Sequence, residues 1–386
     1  MLFGCFDDGR LAAQLGGERF TVTYLLLGTE AEAREKAGFI CVEQTVEFPV
    51  HLLPEGHIPG EIVGKIISFE KAAEGKYRLV VSYAEEIAAG EITQFINVLF
   101  GNSSILPGIL VERFDLGKGM LSCFKGPRFG MEKLRELLGE PESPLVFSAL
   151  KPMGLSAYDF ADCAYRMAKG GINIIKDDHG LADQRFAPFD ERIRLCGEAV
   201  AKANAQTGRH TIYVPNVSAP GGETFRRARY AKEHGAGGLL VIPGLVGFGT
   251  MQELALDDEI ALPIFCHPAF LGSYLVNEGG FSCACLLGQL ARLAGADGSI
   301  FPNFMGRFSL TKEQCVSIQE AGREPMGELK TMFACPAGGM SAAILPKAVE
   351  TYGKDIILLM GGGLFDMGSD LEKNSQAFVR LIKSLV

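Results

Sequence analysis

Beyond Pro144 the chain repeats one unit: a short apolar run, a polar or glycine-rich turn, then an amphipathic stretch. The runs end near Lys151, Lys176, Asn216, Ile242, His267, Phe301, Pro336 and Gly361. Runs this short and this apolar read as parallel strands buried on both faces, and each return to a parallel neighbour needs a crossover, here helical. Eight such units with right-handed crossovers close into a (β/α)8 barrel, completed by one last helix over about Leu371 to Leu385. The barrel is expected over residues 141–386, with its chemistry at the C-terminal ends of the strands.

Residues 1–140 lack that regularity. A β-rich run from Arg19 to Leu27, helix-forming composition over Ala31–Ala37, two strands at Glu61–Phe69 and Lys76–Tyr83 and a helix from Gly90 to Phe100 predict a separate α+β domain. At 386 residues and 47% hydrophobic, the chain can fill both cores. A formal net charge of -9 with no Lys/Arg run argues against nucleic acid as a partner. No apolar run reaches membrane-spanning length, and Met1–Asp8 lacks the basic and long apolar regions of a secretory leader. Ten scattered cysteines, of which only Cys283 and Cys285 stand close together, fit reduced thiols in a cytoplasmic protein.

The strand tips carry the reactive residues. After Gly170-Gly171, the run Ile172–Ile175 ends in Lys176-Asp177-Asp178-His179, and a lysine closing an apolar strand is costly as a buried cation. Two readings stand. The lysine is salt-bridged to the aspartates, or its neutral amine has added carbon dioxide to form a carbamate, making with Asp177 and Asp178 an oxygen-ligand site for Mg²⁺. Other tips bring Lys151 before Pro152, His267, and a loop from Phe301 to Phe308 that carries Arg307. Gly338-Gly339 and Gly361-Gly362-Gly363 follow the last two strands, where backbone N–H groups can approach a phosphate closely.

In order and spacing, Lys151-Pro-Met-Gly-Leu-Ser, the Gly170–Asp178 stretch, His267 and Gly361-Gly-Gly resemble the RuBisCO large-subunit superfamily. So do Asn97-Val-Leu-Phe-Gly and Phe124-Lys-Gly-Pro before them, and the resemblance covers nearly the whole chain. It implies an N-terminal α+β domain of ferredoxin-like type, and roles for individual residues. Lys176 resembles the carbamylated lysine, Asp178 a metal-binding carboxylate, Lys151 the lysine that moves protons at the enediol, and His267 an active-site histidine. Glu43 resembles the glutamate offered to a partner subunit's barrel; with Asn97 it implies a homodimer or a larger assembly of dimers. The chain also departs from the pattern. His179 stands in place of a metal-binding glutamate, and Pro268, Ile300 and Ala337 in place of phosphate-binding arginine, histidine and serine. Arg307 replaces the lysine that polarises incoming carbon dioxide, a planar fork for a point charge. The long C-terminal extension of carboxylases is also missing. Such a chain resembles the RuBisCO-like proteins rather than the carboxylases.

The resemblance implies enolisation or proton transfer, of isomerase or enolase type, on a sugar carrying one phosphate held by Gly338, Gly339, Gly361 and Gly362. Lys151 is the preferred acid or base, with Mg²⁺ on carbamylated Lys176, Asp178 and His179; an imidazole for a carboxylate would make Mn²⁺ or a later metal relatively better tolerated. Two alternatives remain. One is a decarboxylase or a transcarboxylase/hydrolase acting on a β-keto sugar acid phosphate, with Arg307 on the carboxylate. The other is a non-catalytic binding or regulatory protein whose metal site His179 has broken.

Overall fold

The computed structural model describes residues 15–385, so the opening stretch Met1–Asp8 lies outside the described residues. Its strands are β1 (Arg19–Leu27), β2 (Lys65–Ala73), β3 (Lys76–Ala84), β4 (Ile109–Asp115), β5 (Leu145–Leu150), β6 (Ile174–Asp177) and β7 (Ile212–Val214), then β8 (Leu239–Val241), β9 (Ile264–Cys266), β10 (Gly280–Phe281), β11 (Gly298–Pro302), β12 (Phe333–Ala337) and β13 (Ile357–Leu359). By contacts the chain divides between Phe124 and Lys125, and Gly272–Gln289 and Pro325–Glu328 cluster with the first unit.

The first unit is built on a five-stranded sheet ordered β10-β4-β1-β3-β2, antiparallel except where β10 runs parallel to β4. Central β1 buries Phe20, Val22, Tyr24 and Leu26, the period-two face that a half-covered sheet requires. Phe95, from the helix Ile92–Phe100, meets Phe114 edge-on with centroids 5.0 Å apart. The helix expected over Ala31–Ala37 runs further, over Glu30–Glu43, and starts from a reciprocal Thr29/Glu32 capping box.

The second unit is the barrel. Parallel ladders join β13-β5-β6-β7 and β8-β9-β11-β12, a parallel bridge between Asn216 and Leu240 links the two sets, and β12 lies beside β13. All eight expected strands form, each ending within two residues of its expected tip. Their inward residues, among them Phe147, Ile174, Val214, Phe265, Ile300 and Leu359, form one core cluster. The helix Gly130–Leu138 belongs to this unit, with Leu134 and Leu138 in the same core. Strand alternation then sets the mouth. Two residues beyond those core positions stand Lys176, Asn216, His267 and Gly361, so the phase that packs the core also aims these residues at the C-terminal opening.

No helix among the described residues is long and apolar enough to cross a membrane. No disulfide joins the nine described cysteines.

Candidate active site

Alternation deals Lys176, Asp177 and Asp178 into three different surroundings. Lys176 points into the mouth at 2% exposure and donates from Nζ to the Asp177 carbonyl at 2.8 Å. Burial holds its amine down to about 8; the Asp178 carboxylate opposes that shift, and the nearby Lys151 ammonium adds to it. The amine therefore reaches its uncharged form, the one that adds carbon dioxide, closer to neutral pH than an ordinary lysine does.

Asp177 turns outward, away from the mouth. Its Oδ1 accepts from the Tyr213 hydroxyl at 2.6 Å, and its Oδ2 from the Asn216 backbone N–H at 3.2 Å and from Nε and Nη2 of Arg192 at 3.3 Å. Both members of that ion pair are fully buried. The expectation of two carboxylates at the metal position therefore reduces to one, because Asp177 already serves the layer between barrel and helices.

Asp178 sits at the tip. Its Oδ2 takes the Lys151 ammonium at 2.6 Å, and its Oδ1 lies 3.3 Å from Nδ1 of His179. Burial pushes this carboxyl up, but the hydrogen bonds from His179 and Lys151 and the charges of Lys176 and Lys151 reverse that, leaving it well below the usual carboxylate range. The His179 ring stacks on His267 with centroids 4.4 Å apart and planes at 15°. Burial keeps His267 well below its ordinary 6.5, reinforced by the charge of Lys176 and by His179. Its Nδ1 accepts the Ala269 N–H at 3.1 Å, so the neutral ring carries its proton on Nε2. The neutral ring thus presents an Nε2–H as a hydrogen-bond donor.

The glycines form a second group. A Cβ on Gly361 would lie 3.6 Å from Lys151 Cε and one on Gly363 2.5 Å from the Met340 carbonyl, so the tips of β12 and β13 meet beside Lys151. Gly361 also precedes the short helix Gly362–Phe365. Gly338 and Gly339 have φ of 76° and 105°, a region that favours glycine. Their loop is stacked against the one after β11: Arg307 N–H donates to the Gly338 carbonyl at 3.0 Å, a Cβ on Gly306 would collide with that oxygen, and a Cβ on Gly338 would meet the Phe308 ring at 2.9 Å. The exposed Arg307 guanidinium lies 5.2 Å from the Phe308 ring centroid. Ile300 fills the core.

Glu43 and Asn97 lie in the first unit, where Gln44 joins their segments. Its Nε2 donates to the Asn97 carbonyl at 3.0 Å and the Val98 carbonyl at 2.8 Å, and Asn102 Nδ2 reaches Glu43 Oε2 at 3.3 Å.

Among the described residues no group of three or more His, Cys, Asp or Glu side chains is placed to hold a metal ion. Asp178 and His179 would offer two donors, and Lys176 would offer a third only if it carried a carbamate. Such an oxygen- and nitrogen-donor set would fit a divalent cation.

A parallel barrel with a buried lysine, an acid, two histidines and paired glycines at the C-terminal ends of its strands defines a (β/α)8 protein. Residues 130–369 match the family of the ribulose bisphosphate carboxylase large chain, catalytic domain. The chain is 36% identical over 364 residues to the 5-methylthioribulose-1-phosphate isomerase of Rhodospirillum rubrum, covering 94% of this chain and 96% of that one. It is 30% identical over 375 residues to the 2,3-diketo-5-methylthiopentyl-1-phosphate enolase of Bacillus licheniformis, covering 94% and 91%. The crystal structure of a RuBisCO-like protein from Rhodopseudomonas palustris superimposes with TM-score 0.87 at 34% identity, covering 95% of this chain and 98% of that one. The chain belongs to the RuBisCO large-chain family, as one of its RuBisCO-like members.

Proposed function

We propose that this protein abstracts a proton from a carbon next to a carbonyl of a phosphorylated sugar, as an isomerase or enolase of methionine-salvage type, and is not a carboxylase. The observation that carries the reading is the pairing of Lys151 with Asp178 at 2.6 Å beside buried Lys176 and the neutral Nε2–H of His267. The names of the relatives that act on 5-methylthioribulose 1-phosphate and on 2,3-diketo-5-methylthiopentyl 1-phosphate support the substrate class.

The glycine shelf binds the phosphate through the N–H groups of Gly338, Gly339, Gly361 and Gly362, and Arg307 adds a charged fork at its edge. Lys151, as the neutral amine left once its ammonium proton has gone to solvent, takes the proton from the carbon beside the carbonyl; the C–H electron pair moves into the new C=C bond and the carbonyl pair moves onto oxygen, which takes up a proton to give the enol. In the isomerase case the hydroxyl on the deprotonated carbon then gives up its proton and becomes the new carbonyl, while the proton held by Lys151 goes to the former carbonyl carbon. His267 donates its Nε2–H to the substrate oxygen that gains charge. A Mg²⁺ or Mn²⁺ ion held by carbamylated Lys176, Asp178 and His179 would supply Lewis acidity to that oxygen. The test is solvent-deuterium exchange into 5-methylthioribulose 1-phosphate or a keto-acid sugar phosphate. Exchange is expected with the wild type and lost in Lys151→Ala, in Lys176→Ala and after removal of divalent metal. Exchange that persists in both variants, or without metal, contradicts these roles.

His267 as donor makes its own prediction. His267→Ala should lower kcat by about 10²-fold, whereas His267→Gln, which keeps an N–H near the Nε2 position, should stay within about tenfold of wild type. Equal losses in the two variants would dismiss the donor role.

Glu43 and Asn97, held together through Gln44, are proposed to complete the site of a second copy related by a two-fold axis. Sedimentation should show dimers or larger assemblies at assay concentration, with Glu43→Gln impaired in turnover. A fully active monomer is the opposite result.

A further inference from the structure

We propose that Asn216 is the positioning residue that sets His179 in the site; its kinetic consequence rests on the catalytic reading of the cluster. The His179 side chain is 47% exposed, so packing does little to hold it over His267. Its backbone is held instead. Asn216 Nδ2 donates to the His179 carbonyl at 3.0 Å and, with its second hydrogen, to the Leu181 carbonyl at 3.0 Å. The Asn216 Oδ1 accepts the Ser218 N–H at 3.1 Å, and Ser218 Oγ accepts the Ile242 N–H at 2.9 Å. These partners admit one orientation of the amide, with its NH₂ on the two carbonyls and its oxygen on the N–H. At 3% exposure Asn216 thus clamps the loop after β6 to the tips of β7 and β8. It also carries the backbone N–H that reaches Asp177.

The chemistry separates a clamp from a space-filler. Asp has nearly the same shape as Asn, yet would set a carboxylate oxygen against two carbonyl oxygens. Asn216→Asp should therefore release the loop as thoroughly as Asn216→Ala, and Asn216→Ser, which keeps one donor, should fall between Asp and wild type.

The experiment has two arms on the full-length protein. Imidazole ¹⁵N NMR of the six histidines, with two signals assigned through His179→Ala and His267→Ala, should show those two displaced in the Asn216 variants and the other four unmoved. Kinetically, Asn216→Ala should cost roughly 10- to 100-fold in kcat with KM within about threefold, and should add less than about twofold in the His179→Ala background. Unmoved His179 and His267 signals, an Asp variant that matches wild type, or losses that multiply fully in the double variant would each overturn the clamp. If the NMR signals move while the wild type turns over no sugar phosphate, the clamp stands and the catalytic reading falls.

Discussion

Replacing Arg192 with methionine should destabilise the protein by about 3–5 kcal/mol, because it strands a buried carboxylate. The Arg192 guanidinium has no exposed surface, holds Asp177 through two nitrogens, and donates to the carbonyls of Ala187 at 2.7 Å and Ala182 at 2.8 Å. After its removal Asp177 keeps only Tyr213 and a backbone N–H, while the two carbonyls lose these donors. Replacing both charges, as in Asp177→Leu with Arg192→Met, should recover much of the loss, since the pair's attraction is largely offset by its desolvation. Urea unfolding of the two single variants and the double variant checks this. An Arg192→Met protein within about 1 kcal/mol of wild type would show that the pair does not hold the β6 tip.

Lys176→Met should do the reverse, abolishing turnover while raising stability. Folding lowers this lysine from its ordinary 10.5 to about 8, so the folded state disfavours the protonated form. Below pH 8 the lysine is charged in both states and the penalty is complete, at up to roughly 3 kcal/mol for a gap of about 2.5 pH units. Between about 8 and 10.5 the unfolded chain stays protonated while the folded protein does not, so stability rises with pH. Lys176→Met should therefore exceed wild type in stability at pH 7, and the advantage should shrink as pH rises through that window. Turnover should fall by roughly 10³-fold or more. ¹³C-bicarbonate should give a carbamate signal in wild type above pH 8 and none in the variant. Equal stability at pH 7, or a carbamate signal that survives the substitution, would separate Lys176 from the role given to it.

The barrel was legible because each strand is a short apolar run that soon meets a proline, a glycine or a polar or charged residue, and the mouth residues were read from the strand tips. Lys151, Lys176, Asp178, His179 and His267 do converge. The outward turn of Asp177 was harder to read, since three consecutive charged residues look alike until a partner fixes the phase of the strand. A signal existed: Arg192 lies on the stripe Phe189, Ile193, Cys196 and Val200 of the helix Phe189–Thr207, where an isolated arginine must find an acid. No comparable signal marks β10. Two residues, Gly280 and Phe281, carry no periodicity, and their pairing with β4 bridges a separation in sequence that local pattern does not encode.

The interlocked glycines have a mechanical meaning. Gly306 has no room for a side chain against the Gly338 carbonyl, Phe308 covers Gly338, and Gly339 abuts the Arg307 nitrogen at 3.1 Å from where a Cβ would sit. Two loops meshed this closely would have to move together, since a swing of either alone would break the contacts at Gly306 and Gly338. An anion settling on the shelf would load the segment that bears Arg307, and pushing that segment outward would pull open the shelf itself.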